Sequence, residues 1–252
     1  MMYFVFADPH GNYEALITSI TEMGYDASNP QHQIIGCGDY FGRAARSNSD
    51  CVNIWQYLTS PHHVNKPICI RGNHESILID AIKRRQLTET DIYNGEHNTF
   101  ASFLGRYPNQ VKRDYYLQFD AAKAMIDVGF YDWLKSLPWY FETEHYIFTH
   151  GFVPMMYFIN RGVELNDFGE SEWEEASWSN TPDDIRTLDL IKVGTHKTIV
   201  FGHWQAKELN EKFADKWEEK DGDIYVDKER NLIGLDTTTA LSYKVGCIIV
   251  ED

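Results

Sequence analysis

Five short polar clusters in this sequence each follow a run of apolar residues. They are Asp8-Pro9-His10-Gly11-Asn12, Gly38-Asp39-Tyr40-Phe41-Gly42-Arg43, Arg71-Gly72-Asn73-His74-Glu75, Thr149-His150-Gly151 and Phe201-Gly202-His203-Trp204. Asp8, His10, Asp39, Asn73, His150 and His203 are oxygen or imidazole-nitrogen donors, with no thiolate among them. Such a set suits manganese, iron, zinc or nickel in a working site more than a structural zinc. Six donors are too many for one catalytic ion that must keep open positions, so two divalent ions sharing one bridging carboxylate fit better. Arg43 and Arg71 lie in the same clusters and offer planar donors matched to phosphate oxygens.

These clusters need elements that deliver them to one place. Short apolar runs at 3–7, 33–37 and 67–70 alternate with helix-spaced apolar residues at 13–23, 50–58 and 76–84. This alternation predicts an α/β fold with a largely parallel or mixed sheet and helices outside. Residues 88–137 read as a helical insert whose central run, 115–134, has helical spacing. Strands return at 139–141, 146–149, 198–201, 224–226, 232–235 and 245–250, with the last ones read as an antiparallel finish. The stretch 208–222 reads as a charged surface excursion. The carboxyl ends of strands in open α/β sheets converge on one edge, so five polar clusters there predict one site built from distant positions.

Composition narrows the partners. The 252 residues carry a net charge of −15, with 43% apolar and 14% aromatic residues. That balance supports a full core and excludes a broad phosphate-neutralising surface, so no extended nucleic-acid binding is expected. Positive charge for a phosphate must then be local, from a few arginines or bound metal ions. Cys37, Cys51, Cys69 and Cys247 show no C-x-x-C spacing and read as thiols of a reducing compartment. With no signal peptide and no apolar stretch of spanning length, a cytoplasmic protein without membrane attachment is expected.

The series D-x-H, G-D-x-x-x-R, G-N-H-E, H-G and G-H, running in order from Asp8 to His203, resembles the calcineurin-like metallophosphoesterases. Within them, R-G-N-H-E is similar to the serine/threonine phosphoprotein phosphatase branch. Its small phage and bacterial members and the symmetrical dinucleoside tetraphosphatases are nearest in pattern. Thr149-His150-Gly151-Phe152-Val153-Pro154 and Leu235-Asp236-Thr237 also look like the small bacterial and phage branch, as does Asn94-Gly95-Glu96-His97-Asn98-Thr99 more weakly.

The resemblance implies two mixed β-sheets packed as a sandwich and flanked by helices, with residues 1–252 forming one domain. It implies that Asp8 and His10 bind a first metal, Asp39 bridges, and Asn73, His150 and His203 bind a second. Two divalent ions follow as cofactors, manganese first and iron, zinc or nickel as alternatives. The implied activity is that of a serine/threonine-type protein phosphatase, hydrolysing phosphomonoesters by attack of a metal-bridging hydroxide. His74 acts as general acid, and Arg43 and Arg71 hold phosphoryl oxygens. The implied partner is a phosphorylated protein or a phosphorylated small molecule. Symmetrical cleavage of dinucleoside tetraphosphates is the alternative within the class. A weak scaffold that binds a protein partner is the alternative outside it.

Three positions depart from relatives. The family pattern is G-D-x-x-D-R, whose second Asp orients the catalytic His; here Gly42 stands there, which predicts weaker leaving-group protonation unless another acid substitutes. Gln205 replaces the second His of G-H-x-H, as in the phosphoprotein phosphatase pattern. Asn180 follows Trp178-Ser179 where some relatives carry a third phosphate-binding Arg. Each cluster alone also has a plainer reading: Asn12 as a helix cap, Glu75 as a helix-start acid, His150 or His203 as core histidines. Trp204 is a candidate for lining the cleft, while His32, His62, His63, His97, His145 and His196 read as surface or structural residues.

Overall fold

A computed structural model of the chain describes residues 1–43, 50–160, 162–191, 196–214 and 223–252. Its strands are β1 (Met2–Phe6), β2 (His32–Gly36), β3 (Ile68–Cys69), β4 (Tyr140–Glu142), β5 (Tyr146–Thr149), β6 (Thr198–Phe201), β7 (Tyr225–Asp227), β8 (Leu232–Gly234) and β9 (Cys247–Glu251). They form a four-stranded sheet of order β3-β2-β1-β9 and a five-stranded sheet of order β4-β5-β6-β8-β7. In the first, β1, β2 and β3 run parallel and β9 antiparallel. In the second, β5, β6 and β8 run parallel, with β4 and β7 antiparallel at the edges. The antiparallel finish is therefore split: β7 and β8 pair with each other, while β9 crosses to the first sheet.

Period-two alternation sorts side chains between the layers. Val5, Ala7, Ile35, Cys37 and Ile70 from the first sheet meet Phe148, Val200 and Leu235 from the second in one buried cluster, the filling of the sandwich. The opposite face of the first sheet, through Phe6 and Ile34, packs on helices through Leu16, Ile54, Leu78 and Ile82. Leu87, Phe100, Val111, Met125, Phe130 and Leu134 from the helical insert join the same core. The outer face of the second sheet, through Ile147, Ile199, Phe201 and Leu232, has its own helical cover.

Local structure follows the sequence closely. The helix Tyr13–Glu22 is capped by Asn12, whose side chain accepts from the Ala15 amide at 3.1 Å. The expected run 115–134 divides into Tyr115–Asp127 and Phe130–Ser136, because Gly129 adopts φ +83 between them. The helix expected over 76–84 starts three residues earlier, as Asn73–Arg84, so Asn73 and His74 stand in its first turn. Of the charged stretch 208–222, the described part lies in the helix Ala206–Phe213 and the residue after it, and 215–222 fall outside the described residues. Among the described residues, no helix is long and apolar enough to cross a membrane.

Candidate metal centre

The parallel strands deliver the polar clusters to one edge of the sandwich. Asp8 and His10 follow β1, Asp39 follows β2, and Asn73 and His74 follow β3. His150 follows β5 and His203 follows β6. Asp8, Asp39 and His203 all adopt left-handed backbone, at φ 53, 54 and 60, as does His10 at φ 47. For residues other than glycine this conformation is uncommon and strained, and it concentrates here on predicted ligands. Two glycines permit the close approach of elements. A Cβ on Gly72 would run into Asp39 Oδ1, and one on Gly202 into Asp8 Oδ2.

Asp39 holds the centre together by sending its two oxygens to different groups. Oδ2 lies 3.7 Å from His10 Nε2 and 3.8 Å from His74 Nε2. Oδ1 lies 3.3 Å from His150 Nε2. Asn73 Oδ1 completes the second group, 2.8 Å from His150 Nε2 and 3.2 Å from His203 Nδ1. Asp8 Oδ1 stands 3.9 Å from His10 Nε2, and the Asp8 carboxylate accepts from the His203 amide at 3.1 Å. The six predicted ligand positions thus converge. His10, Asp39 and His74 form one compact group of possible donors, and Asp39, His150 and His203 another.

The protonation pattern fits cations. His150 Nδ1 faces the Cys37 carbonyl at 2.8 Å, and His10 Nδ1 faces the Phe41 carbonyl at 3.4 Å. A carbonyl only accepts, so both rings carry the proton on Nδ1 and turn a lone pair on Nε2 inward. Burial pushes His10 and His203 down to about 3, which keeps them neutral and able to ligate. Burial, then Asp236 and Asp39, push Asp8 well above the usual carboxylate range. Burial likewise raises Asp236 to about 7, although the Thr238 amide bonds it. A pocket that crowds lone pairs and carboxylates away from water gains from positive charge placed among them. The residues therefore fit divalent cations, with two groups of donors that share Asp39.

Glu75 is more than a helix-start acid. It accepts from the amides of Asp39 at 2.8 Å, Tyr40 at 2.9 Å and Gly72 at 2.8 Å, pinning the turn that presents the bridging carboxylate. Glu96 and Asp236 are site residues that sequence reasoning missed. Asp236 follows β8 just as the predicted ligands follow their strands, and the Leu235-Asp236-Thr237 pattern was the signal that could have found it. Glu96, at the start of the helix Glu96–Leu104, places Oε1 2.6 Å from His74 Nδ1. The acceptor missing at Gly42 is supplied there. Burial disfavours the His74 imidazolium, but Asp39 and Glu96 outweigh it and raise the group to about 9.

The two arginines differ. Arg43 is exposed, its Nη2 donates to Asn94 Oδ1 at 3.2 Å, and its charge disfavours protonation of His10, His74 and His203. Arg71 is buried and occupied elsewhere: Nη1 donates to Glu170 at 3.1 Å, Nη2 to the Lys135 carbonyl at 2.7 Å, and the guanidinium lies 4.6 Å from the Trp139 ring. Trp178, 49% exposed, sets its ring 6.3 Å from that of His203. Trp204 instead packs partly buried against the second sheet's outer core. Asn180 is exposed and brings no guanidinium.

The chain belongs to the calcineurin-like phosphoesterase family, which matches residues 1–226. It is accordingly a metal-dependent phosphoesterase of a dimetal family. No curated protein matches the sequence. Solved structures extend the likeness in fold. A cold-active protein tyrosine phosphatase of a psychrophilic Shewanella species aligns with TM-score 0.53 at 14% identity, covering 100% of this chain and 75% of that one. A point mutant of a cold-active protein tyrosine phosphatase reaches 0.56 at the same 14% identity and the same coverage. A Saccharomyces cerevisiae protein serine/threonine phosphatase with similarity to human phosphatase PP5 aligns with TM-score 0.50 at 16% identity, covering 94% of this chain and 67% of that one.

Proposed function

We propose that this protein is a two-metal phosphomonoesterase that removes phosphate from phosphorylated side chains of proteins. The observation that carries this reading is the division of Asp39, with Oδ2 facing His10 and Oδ1 facing His150. One carboxylate shared between two groups of inward lone pairs is the arrangement needed to hold a pair of cations side by side. Asp8, His10 and Asp39 would hold the first ion, and Asp39, Asn73, His150 and His203 the second. Bound divalent ions supply a water acidified enough to attack near neutral pH, and positive charge for the phosphoryl oxygens.

The chain's own residues do the rest. Arg43 offers the exposed guanidinium for the equatorial phosphoryl oxygens. His74, held by Glu96 on Nδ1, turns Nε2 toward Asp39 and the pocket, where it donates a proton to the departing oxygen. Arg71 joins the substrate contacts when it leaves Glu170. All three structural neighbours above are protein phosphatases, in keeping with a phosphorylated protein as substrate.

The test is hydrolysis by Mn²⁺-loaded protein of a phosphoserine peptide, a phosphotyrosine peptide and diadenosine tetraphosphate, with His74→Asn as control. Peptide turnover that collapses in His74→Asn is the expected result. Cleavage of the tetraphosphate alone would move the protein to nucleotide chemistry, and silence on all three would leave a binding scaffold.

A further inference from the structure

Gly42 lies against His74 and has no side chain to offer it. A Cβ built on it would sit 3.1 Å from His74 Nδ1 and 3.4 Å from Glu96 Oε1, so a side chain at 42 would compete for the space that Glu96 occupies. Glu96 arrives from a different element. Its helix begins directly after Gly95, whose φ of +91 sharply redirects the chain out of the preceding helix Glu89–Asn94. A Cβ on Gly95 would meet the Arg43 backbone at 2.9 Å, so the turn lies flush against the segment that carries Gly42. Asn98 Nδ2 donates to the Gly42 carbonyl at 2.9 Å and ties the same helix to that segment a second time. Glu96 is fully buried, and its Oε2 has no partner among the described residues. A buried carboxylate with one oxygen unpartnered is costly, and a fold keeps it where the other oxygen has a task.

We propose that Glu96 is the positioning residue of His74, an acid on the helical insert that replaces the carboxylate absent at Gly42. The assignment rests on the phosphomonoesterase reading above. Glu96 accepts a hydrogen bond from His74 Nδ1–H and so fixes the ring's rotation and favours the imidazolium, whose second proton, on Nε2, faces the pocket. When water oxygen bonds to phosphorus and the P–O bond to the leaving oxygen breaks, the Nε2 proton moves to that oxygen. Glu96 touches neither substrate nor metal. With Glu96 as that acceptor, the substitute acid that the sequence left open is in place, and Gly42 need not weaken leaving-group protonation.

The experiment compares Glu96→Ala with His74→Asn and with the double variant in Mn²⁺-loaded protein, metal content being checked for each. Two substrates bracket the leaving group: a phosphoserine peptide, whose alkoxide needs a proton, and 2,4-dinitrophenyl phosphate, whose phenolate does not. Glu96→Ala is expected to lower kcat on the peptide by about 100-fold and on the dinitrophenyl ester by less than about threefold. In the double variant it adds nothing to His74→Asn. Equal losses on both substrates, or losses that multiply in the double variant, would overturn the proposal. A second readout is independent of turnover: in metal-free protein near neutral pH, nuclear magnetic resonance should show a doubly protonated His74 ring with a strongly downfield Nδ1 proton. That signature should vanish in Glu96→Ala; its persistence would overturn the proposal even if the wild type hydrolysed neither ester. Should Glu96→Ala not fold, Glu96→Gln keeps an accepting carbonyl. It is expected to show a smaller loss confined to the peptide, and a uniform loss would count against the role.

Discussion

Arg71 donates Nη1 to Glu170 at 3.1 Å, pairing an arginine that is 9% exposed with a carboxylate that is 74% exposed. Because Glu170 stands in water, the pair is weak, on the order of 0.2–1 kcal/mol. A phosphate dianion that offers Arg71 a bidentate partner competes for the same nitrogens.

The first prediction follows from that competition. Glu170→Gln should lower KM for a phosphorylated substrate by up to about fivefold while leaving kcat near its original value. Steady-state kinetics on the two enzymes decides it. An unchanged KM would mean that Arg71 serves only the Lys135 carbonyl and the Trp139 ring.

Asp39 offers a second prediction. Losing a group that merely orients a metal ligand already costs about 10–100-fold in affinity, so Asp39→Asn should weaken binding of both ions by more than about 100-fold. Metal analysis after desalting should find the variant nearly free of manganese under conditions that load the wild type. Retention of one tightly held ion would show that Asp39 serves a single position.

Gly202 makes a steric prediction. Alanine there drives its methyl into Asp8 Oδ2 and to 2.9 Å from the Ala7 Cβ, with neither element free to withdraw. Gly202→Ala is expected to destabilise the fold by about 1–3 kcal/mol, seen as a lower midpoint in denaturant. A midpoint equal to the wild type's would mean that Asp8 moves aside without cost.

The buried ionisable groups predict how metal-free protein responds to pH. His74 is raised to about 9, so the stability it contributes is complete below its unfolded value near 6.5 and is lost as pH rises through 9. Asp236, raised to about 7, keeps in the fold a proton that the unfolded chain releases from about 3.8 upward, so it too subtracts stability as pH climbs toward 7. His10 and His203, lowered to about 3, are neutral in both states above 6.5 and add no slope there. Metal-free protein should therefore melt at progressively lower temperature from pH 6.5 to 9. Manganese should raise the melting temperature most at the alkaline end, since ligands that shed protons bind better there. A metal-free melting temperature that climbs across this window would refute the account.

Much of the site was legible in the sequence because its ligands belong to short motifs fixed to strand ends. Asp8, Asp39, His150 and His203 each sit one to three residues beyond an apolar strand, and that local rule needs no knowledge of tertiary structure. The sandwich was legible less directly: alternation gave α/β, and the resemblance gave two sheets. Glu96 was not legible as a partner of His74, because their meeting depends on where the Gly95 turn lodges against Arg43, a tertiary fact. Gly42 marked the gap without naming what fills it. The engagement of Arg71 was hidden for the same reason, since Glu170, Lys135 and Trp139 come from three separate segments. The break at Gly129 was missed because apolar spacing continues across it.

The sandwich places Asp8, Asp39 and Asn73 at the end of one sheet and His150, His203 and Asp236 at the end of the other. Under the proposed assignment, the second ion is gripped from both sides of the interface that Val5, Ile35, Phe148 and Val200 fill. Its binding free energy is then also adhesion energy between the halves, because neither sheet alone presents a complete set of donors. Chelation would loosen the seam between the layers before it loosened either layer, and amide exchange along β1 and β6 would report the metal as a rivet.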